Sequence, residues 1–251
     1  MEGLDMENMF ANESKKLAPL ADRMRPKNLD EFLGQEHIVG KNSFLRRAIN
    51  FDKLGSCIFY GPPGTGKTTL ASIIANQTNS LFVSLNAVSS GVADVKKVIA
   101  DAKTNIELYG KKTYLLLDEC HRFSKTQSDS LLPAIENGTI IFIGSTTENP
   151  YASMTPAIVS RCRVFEFKRL DKETVKKALN KAIIDKKRGY GQLDVAVEED
   201  ALDHIASMSA GDMRTAYNAL ELAVLTTQGD ENGKREIDQQ KEGQTAGKDD
   251  I

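Results

Sequence analysis

Eight residues, Gly61-Pro62-Pro63-Gly64-Thr65-Gly66-Lys67-Thr68, constrain this chain more than any other feature. They fit the pattern G-x-x-x-x-G-K-[ST]. In such a loop backbone N–H groups surround nucleotide phosphates, the lysine reaches the terminal phosphates, and the hydroxyl meets Mg²⁺. The flanks agree with that reading. Ser56–Tyr60 is a short apolar run of buried-strand character, and from Thr69 to Gln77 apolar residues recur at helical spacing, so strand, loop and helix follow in the required order. Glycines let the backbone approach the phosphates, and a helix N-terminus presents N–H groups and partial positive charge to them. The sequence therefore implies a site for ATP with Mg²⁺, with Gly61 through Thr69 in contact with the nucleotide and Thr68 on the metal.

A second apolar run, Thr113–Leu117, ends in Asp118-Glu119. Two carboxylates at the C-terminal edge of a strand beside a phosphate loop form a Walker B pattern. Asp118 is placed to hold Mg²⁺, directly or through water, and Glu119 to orient and polarise the water that attacks the γ-phosphate. His121 reads as structural, since Glu119 already supplies the base.

The 251 residues, 40% of them apolar, suffice for one large or two modest domains with real cores. No apolar run approaches the ~18 residues of a membrane span, and the N-terminus MEGLDMENMFANESKK lacks the basic-then-apolar form of a signal segment, so a cytoplasmic, nucleoid-associated protein is expected. Cys57, Cys120 and Cys162 lie far apart and read as small apolar residues rather than a zinc or disulfide framework. With 33 basic and 35 acidic residues the net charge is −2, so any nucleic-acid contact must come from a local surface.

Alternating runs at Ser56–Tyr60, Leu81–Leu85, Thr113–Leu117, Thr139–Gly144 and Arg163–Phe167, with helical patterns between them, predict a five-stranded parallel α/β sheet flanked by helices. Three helical patterns follow, near Asp171–Lys187, Glu198–Ser209 and Asp212–Thr227, with no strand-like run among them. The expected division is a disordered segment over 1–14, a nucleotide-binding domain over 15–168, an all-helical lid over 169–228, and a disordered tail or truncated linker over 229–251 that adds nothing to the fold.

The strings RPKNLDEFLGQEHIVG (25–40), GPPGTGKTTLA, LLLDECHRFSKTQSDSLLPAIENGTIIFIGSTTENP (115–150), SRC (160–162) and GDMRTAYNALE (211–221) resemble AAA+ ATPases of the clamp-loader clade. Within it the likeness is to the RarA/MgsA family of replication-associated recombination proteins, which includes the Werner-helicase-interacting protein. The resemblance runs from about Leu17 to Leu225. The HRF after Walker B and the segment IGSTTENP make it specific; Cys120, where that family usually has isoleucine, is a departure compatible with an apolar site.

What the resemblance implies can be stated residue by residue. Leu20 to Val39 corresponds to the segment enclosing adenine, with Met24, Pro26, Phe32, Ile38 and Val39 as lining, although core packing is the stronger reading for Phe32. Thr147 corresponds to sensor 1, with Thr146 competing for that role. Asn86 matches a polar residue that can hold the Walker B glutamate inactive until DNA arrives, and Asn at a strand end is also a common turn former. Arg161 resembles an arginine finger that acts on a neighbouring subunit's ATP. Arg214 resembles sensor 2, reaching its own subunit's γ-phosphate, with Asp212 capping its helix.

DNA contact is expected at Ser89-Ser90-Gly91, where a helix begins, and at Lys96 and Lys97 one turn later, with Arg122 and Lys125 as further candidates. Lys96 and Lys97 fit a solvated face equally well. The expected function is a DNA-dependent ATPase at stalled or damaged forks, acting on single-stranded, gapped or forked DNA, as a homo-oligomer and with single-strand-binding protein or other replication proteins as possible partners. Three alternatives stay open: a replicative clamp-loader subunit, a Holliday-junction branch-migration ATPase, and a nucleotide-gated scaffold with slow hydrolysis.

Overall fold

In the computed structural model, which describes residues 18–78, 80–229 and 234–238, the five apolar runs become β1 (Cys57–Tyr60), β2 (Leu81–Asn86), β3 (Thr113–Asp118), β4 (Ile141–Thr146) and β5 (Arg163–Glu166). They form one parallel sheet in the order β2-β3-β4-β1-β5. Parallel neighbours need crossovers, and the helices Lys67–Gln77, Val92–Tyr109 and Lys125–Glu136 supply them. Burial on both faces explains why the central strands β1, β3 and β4 read as mainly apolar runs, while β2 and β5, at the two edges, are more exposed.

The pleat sorts alternate residues into two cores. Cys57, Phe59, Tyr114, Leu116 and Ile143 pack on one face with Leu45, Ile49, Leu70, Ile73 and Ile74. Ile58, Leu115, Leu117 and Phe142 pack on the other with Val95, Val98, Leu131 and Ile158. Helix ends follow local chemistry: Gly110 closes Val92–Tyr109 in the left-handed conformation at φ 61°, and Ser124 opens Lys125–Glu136 through a capping box with Gln127.

Because every strand runs the same way, their C-terminal ends share one edge. Asn86 pairs with Asp118 and Tyr60 with Thr146. The loops after β1, β2, β3 and β4 therefore emerge together, the position where ligands bind in open parallel sheets.

The chain divides into two compact units, Pro26–Arg169 and a second that combines Leu170 onward with the N-terminal residues up to Arg25. In the second unit the helices Lys172–Ile184, Glu199–Met208 and Met213–Thr226 bury Val175, Leu179, Leu202, Ile205, Leu220 and Val224. Asp171 caps the first of them by accepting the Thr174 N–H at 2.7 Å, and that bond holds its carboxyl below the usual range. Asp212 caps the third as its sequence position predicts, accepting from Arg214 and Thr215.

Two expectations need correction here. Residues 18–25 do not join the nucleotide-binding unit: Leu20 N–H donates to Glu221 at 2.9 Å, and Arg23 pairs with Glu221 at 3.4 Å and lies over the Tyr190 ring. The second unit is also not all-helical. Val195–Val197 (β6) pairs in parallel with Arg235–Ile237 (β7), and Glu198 N–H donates to the Ile237 carbonyl at 3.0 Å. Ile237 is 0% exposed. A three-residue strand with one apolar side chain, set in a polar stretch, gives too little periodicity to be read from sequence. The segments expected to be disordered, 1–14 and most of the tail, lie outside the described residues.

Ile237 therefore carries a stability prediction. Ile237→Ala should cost roughly 2–4 kcal/mol, by lost burial plus the cavity left behind. It would be read as a lowered denaturant midpoint; an unmoved midpoint would mean that the pair contributes nothing.

Candidate active site

Between β1 and helix Lys67–Gln77 the phosphate-type loop turns through three positive φ angles, at Gly61 (142°), Gly64 (65°) and Gly66 (98°). Two of these glycines are required by space as well as by dihedral. A Cβ on Gly61 would lie 2.1 Å from the Phe167 carbonyl oxygen, and one on Gly66 would lie 2.7 Å from the Phe32 ring. Phe32 is thus core packing under the loop. No side-chain hydrogen bond caps the helix that starts at Lys67, and its N-terminus carries the partial positive charge of the helix dipole.

The Lys67 ammonium donates to the carbonyls of Gly61 and Pro62, each at 2.7 Å, and the residue is 8% exposed. Its charge is held against the loop's own backbone. The Thr65 hydroxyl donates to the Pro62 carbonyl at 2.8 Å and stiffens the same turn. Gly61 N–H in turn donates to the Thr146 carbonyl at 3.1 Å, which ties the loop to the end of β4.

Asp118 ends β3 on this edge, and both it and Glu119 are half-buried. Asp118 accepts the Glu119 N–H at 3.2 Å. Glu119 adopts the left-handed conformation (φ 53°, ψ 39°) at the start of the turn Cys120–Arg122. For a residue with a side chain this costs on the order of 1–2 kcal/mol, and the surrounding contacts must hold it. Among the described residues no cluster of three or more His, Cys, Asp or Glu could cage a metal alone. A Mg²⁺ ion bound with phosphates needs only one or two carboxylates, and Asp118 with the Thr68 hydroxyl is a donor set of that kind.

Three segments from the sequence reading join this edge. Ile38 and Val39 are buried beside Phe32, Leu70 and Phe167. The short helix that carries them is stitched to the end of β5: Gln35 donates to the Lys168 carbonyl at 2.6 Å and accepts the Lys168 N–H at 2.9 Å, and His37 Nε2 meets the Glu166 carbonyl at 2.8 Å. Pro26 belongs to the same unit, whereas Met24 falls in the other. Thr146 is buried with its hydroxyl engaged by His121 and Glu148, and Thr147, the next residue, is exposed.

Asn86 stands opposite Asp118, and its side chain accepts the Val88 N–H at 2.8 Å in a local turn. Cys120 is buried against Met154, and burial pushes its thiol up, so it is an apolar filler beside Glu119. His121 is where sequence reasoning fell short. Its ring contacts Glu119, Thr146 and Glu148 together, a constellation that needs the β3–β4 pairing to be seen.

Arg161 is not gathered into this edge by any described contact. Its guanidinium pairs with Glu136 at 2.5 Å and donates to the Ala157 carbonyl at 2.7 Å. Arg214 is exposed in the second unit, in the first turn of helix Met213–Thr226. Ser89, Lys96, Lys97, Arg122 and Lys125 are exposed as well. Helix Val92–Tyr109 starts at Gly91, whose N–H donates to Asp94 at 2.8 Å, and the Ser90 carbonyl accepts from Gln127 at 2.8 Å.

Comparison with known proteins agrees with this geometry. A family model described as the Holliday junction DNA helicase RuvB P-loop domain matches residues 24–156, and one described as an AAA C-terminal domain matches residues 191–250. Replication-associated recombination protein A of Haemophilus influenzae is 46% identical over 217 residues, 86% of this chain and 48% of that protein. The Bacillus subtilis protein of the same name is 43% identical over 221 residues, 88% of this chain and 51% of that protein. ATPase WRNIP1 of Dictyostelium discoideum is 39% identical over 240 residues, 94% of this chain and 27% of that protein. The chain thus spans about half the length, or less, of the curated relatives it matches. The solved RuvB Holliday junction branch migration motor of Thermotoga maritima superposes with a TM-score of 0.68 at 27% identity, over 89% of this chain and 72% of that one. A P-loop with required glycines, a strand-end carboxylate pair and a family model covering more than half of the residues lead to one conclusion: the chain belongs to the RuvB-like P-loop family of AAA+ ATPases.

Proposed function

We propose that this chain is the nucleotide-hydrolysing module of a DNA-dependent ATPase of the replication-associated recombination type, active in fork maintenance, recombination and repair. The observation that carries this reading is the single edge on which the glycine-required loop, Lys67, Asp118 and Glu119 converge. The backbone of Gly61 to Thr69 and the Lys67 ammonium hold the phosphates of ATP. Ile38 and Val39, with Pro26, shape the base end. Thr68 and Asp118 would hold Mg²⁺, which would supply charge neutralisation to the phosphates. Glu119 accepts hydrogen bonding from the attacking water and polarises it. Exposed Thr147 suits sensor 1 better than Thr146, whose hydroxyl is already engaged. Asn86 is a candidate regulator of Glu119.

Arg161 serves a neighbouring subunit's ATP in a homo-oligomer, and Arg214 is the sensor 2 of its own subunit's nucleotide. DNA, whether single-stranded, gapped or forked, is the partner that stimulates turnover. Single-strand-binding protein is a candidate partner at such sites, and the setting is the cytoplasm at the nucleoid. Among the described residues no helix is long and apolar enough to cross a membrane.

DNA binding of this kind is a phosphate contact with little sequence preference. It should weaken steeply as salt rises, since each neutralised phosphate releases counterions. Changing Lys96 and Lys97 together to Ala should weaken binding to single-stranded and forked DNA and flatten the salt slope by about one to two, measured by fluorescence anisotropy. An unchanged slope would remove this helix from the DNA surface. Release of inorganic phosphate from ATP, dependent on both Mg²⁺ and Lys67, tests the catalytic half of the reading.

A further inference from the structure

The buried imidazole beside the strand-end carboxylates has no part in the mechanism so far. His121 has a side chain only 7% exposed, and its two nitrogens face different groups. Nδ1 lies 2.8 Å from the Thr146 hydroxyl oxygen and 3.6 Å from Glu119 Oε2. Nε2 lies 3.5 Å from Glu148 Oε1. One ring therefore joins the turn after β3 to the turn after β4.

We propose that His121 is a positioning residue: it locks the Glu119 turn to the end of β4 and so sets where the glutamate carboxylate stands. Thr146 Oγ1 accepts the Glu148 N–H at 3.0 Å and also hydrogen-bonds His121 Nδ1 at 2.8 Å, so one hydroxyl ties the two turns together. At 3.6 Å from Glu119 Oε2 the ring abuts the carboxylate without a hydrogen bond to it. That distinction matters chemically. A base that must polarise water keeps its oxygen lone pairs for the water, while its left-handed backbone still needs a neighbour to fix it. Thr146 also accepts Gly61 N–H through its carbonyl, so the chain of contacts runs from the phosphate loop through β4 and His121 to Glu119.

This inference rests on the hydrolysis reading above, and its test separates the two. Steady-state ATP turnover, fluorescent-nucleotide affinity and melting temperature would be measured for the parent chain, Glu119→Gln, His121→Ala, His121→Asn, Thr146→Val and the His121→Ala/Thr146→Val pair. His121→Ala should lower kcat about 10- to 100-fold, the scale of a misplaced catalytic group, with KM and nucleotide affinity within about twofold of the parent. His121→Asn, whose side-chain amide can still hydrogen-bond Thr146, should recover part of the loss. The pair should be no worse than His121→Ala alone, since both changes cut the same link. The ring ¹⁵N resonances of His121 should also shift in Glu119→Gln. A parental kcat in His121→Ala, or a kcat loss matched by lost nucleotide affinity, overturns the positioning role alone. A parent that turns over no faster than Glu119→Gln overturns the hydrolysis reading, and this inference with it.

Discussion

Glu119→Gln should reduce ATP hydrolysis by about 10²- to 10⁴-fold while leaving MgATP affinity within a few-fold of the parent. The amide has the shape of the carboxylate and fits the same half-buried position at the head of the Cys120–Arg122 turn. It cannot accept a proton or polarise water as a carboxylate does. Binding survives because the phosphates depend on other groups, the loop backbone and the Lys67 ammonium. Lys67→Ala should do the opposite and lose nucleotide affinity itself. The two variants together dissect the site: one fails after binding, the other before it. Nucleotide titration and single-turnover phosphate release check both, and parental turnover in Glu119→Gln would mean that the carboxylate pair ending β3 is not the catalytic one.

Arg161→Ala should bind ATP normally and hydrolyse it about 10³-fold more slowly wherever subunits associate, the scale of other arginine fingers. The isolated chain holds the guanidinium at the surface, 38% exposed and paired with Glu136. An exposed pair of this kind contributes little stability, so releasing the arginine to a stronger anion on a neighbour costs little. A phosphoryl group in transfer is such an anion, and the always-charged guanidinium matches it in planar bidentate geometry. Arg214→Ala should differ by impairing ATP affinity within its own chain, even in a monomer. The decisive form is a mixture. Arg161→Ala subunits keep an intact ATP site, and Lys67→Ala subunits keep an intact finger, so under conditions that favour assembly the mixture should exceed the summed activity of its components. Mixtures no more active than that sum, with assembly confirmed by sedimentation, would leave Arg161 a structural residue of the SRC turn.

The sheet and its site edge were legible because their signals are local and dense. A parallel strand buried on both faces must be an apolar run, and a phosphate loop must have its glycines and lysine in order, so the central β1, β3 and β4 and Gly61 to Thr68 could be read without any tertiary information, and the more exposed edge strands β2 and β5 from their alternation with helical patterns. Asp212 as a cap is equally local. What escaped depends on contacts distant in sequence. Ile237 becomes core only through its pairing with Val195–Val197, some forty residues earlier in the chain. Residues 18–25 leave the nucleotide unit because Glu221, about two hundred residues later, captures the Leu20 amide and Arg23. His121 read as merely structural since nothing in the string DECHRF announces Thr146 and Glu148 as its neighbours.

Hydrolysis of ATP at this edge under the control of DNA is the activity that most needs measuring. The most direct measurement is the ATP turnover of this chain at fixed salt against single-stranded, gapped, forked and blunt double-stranded DNA, with Glu119→Gln as the blank. Turnover should stand above the blank, rise with at least the single-stranded, gapped or forked forms, and fall back as salt is raised. Turnover indistinguishable from Glu119→Gln with every DNA would contradict DNA-controlled hydrolysis at this edge.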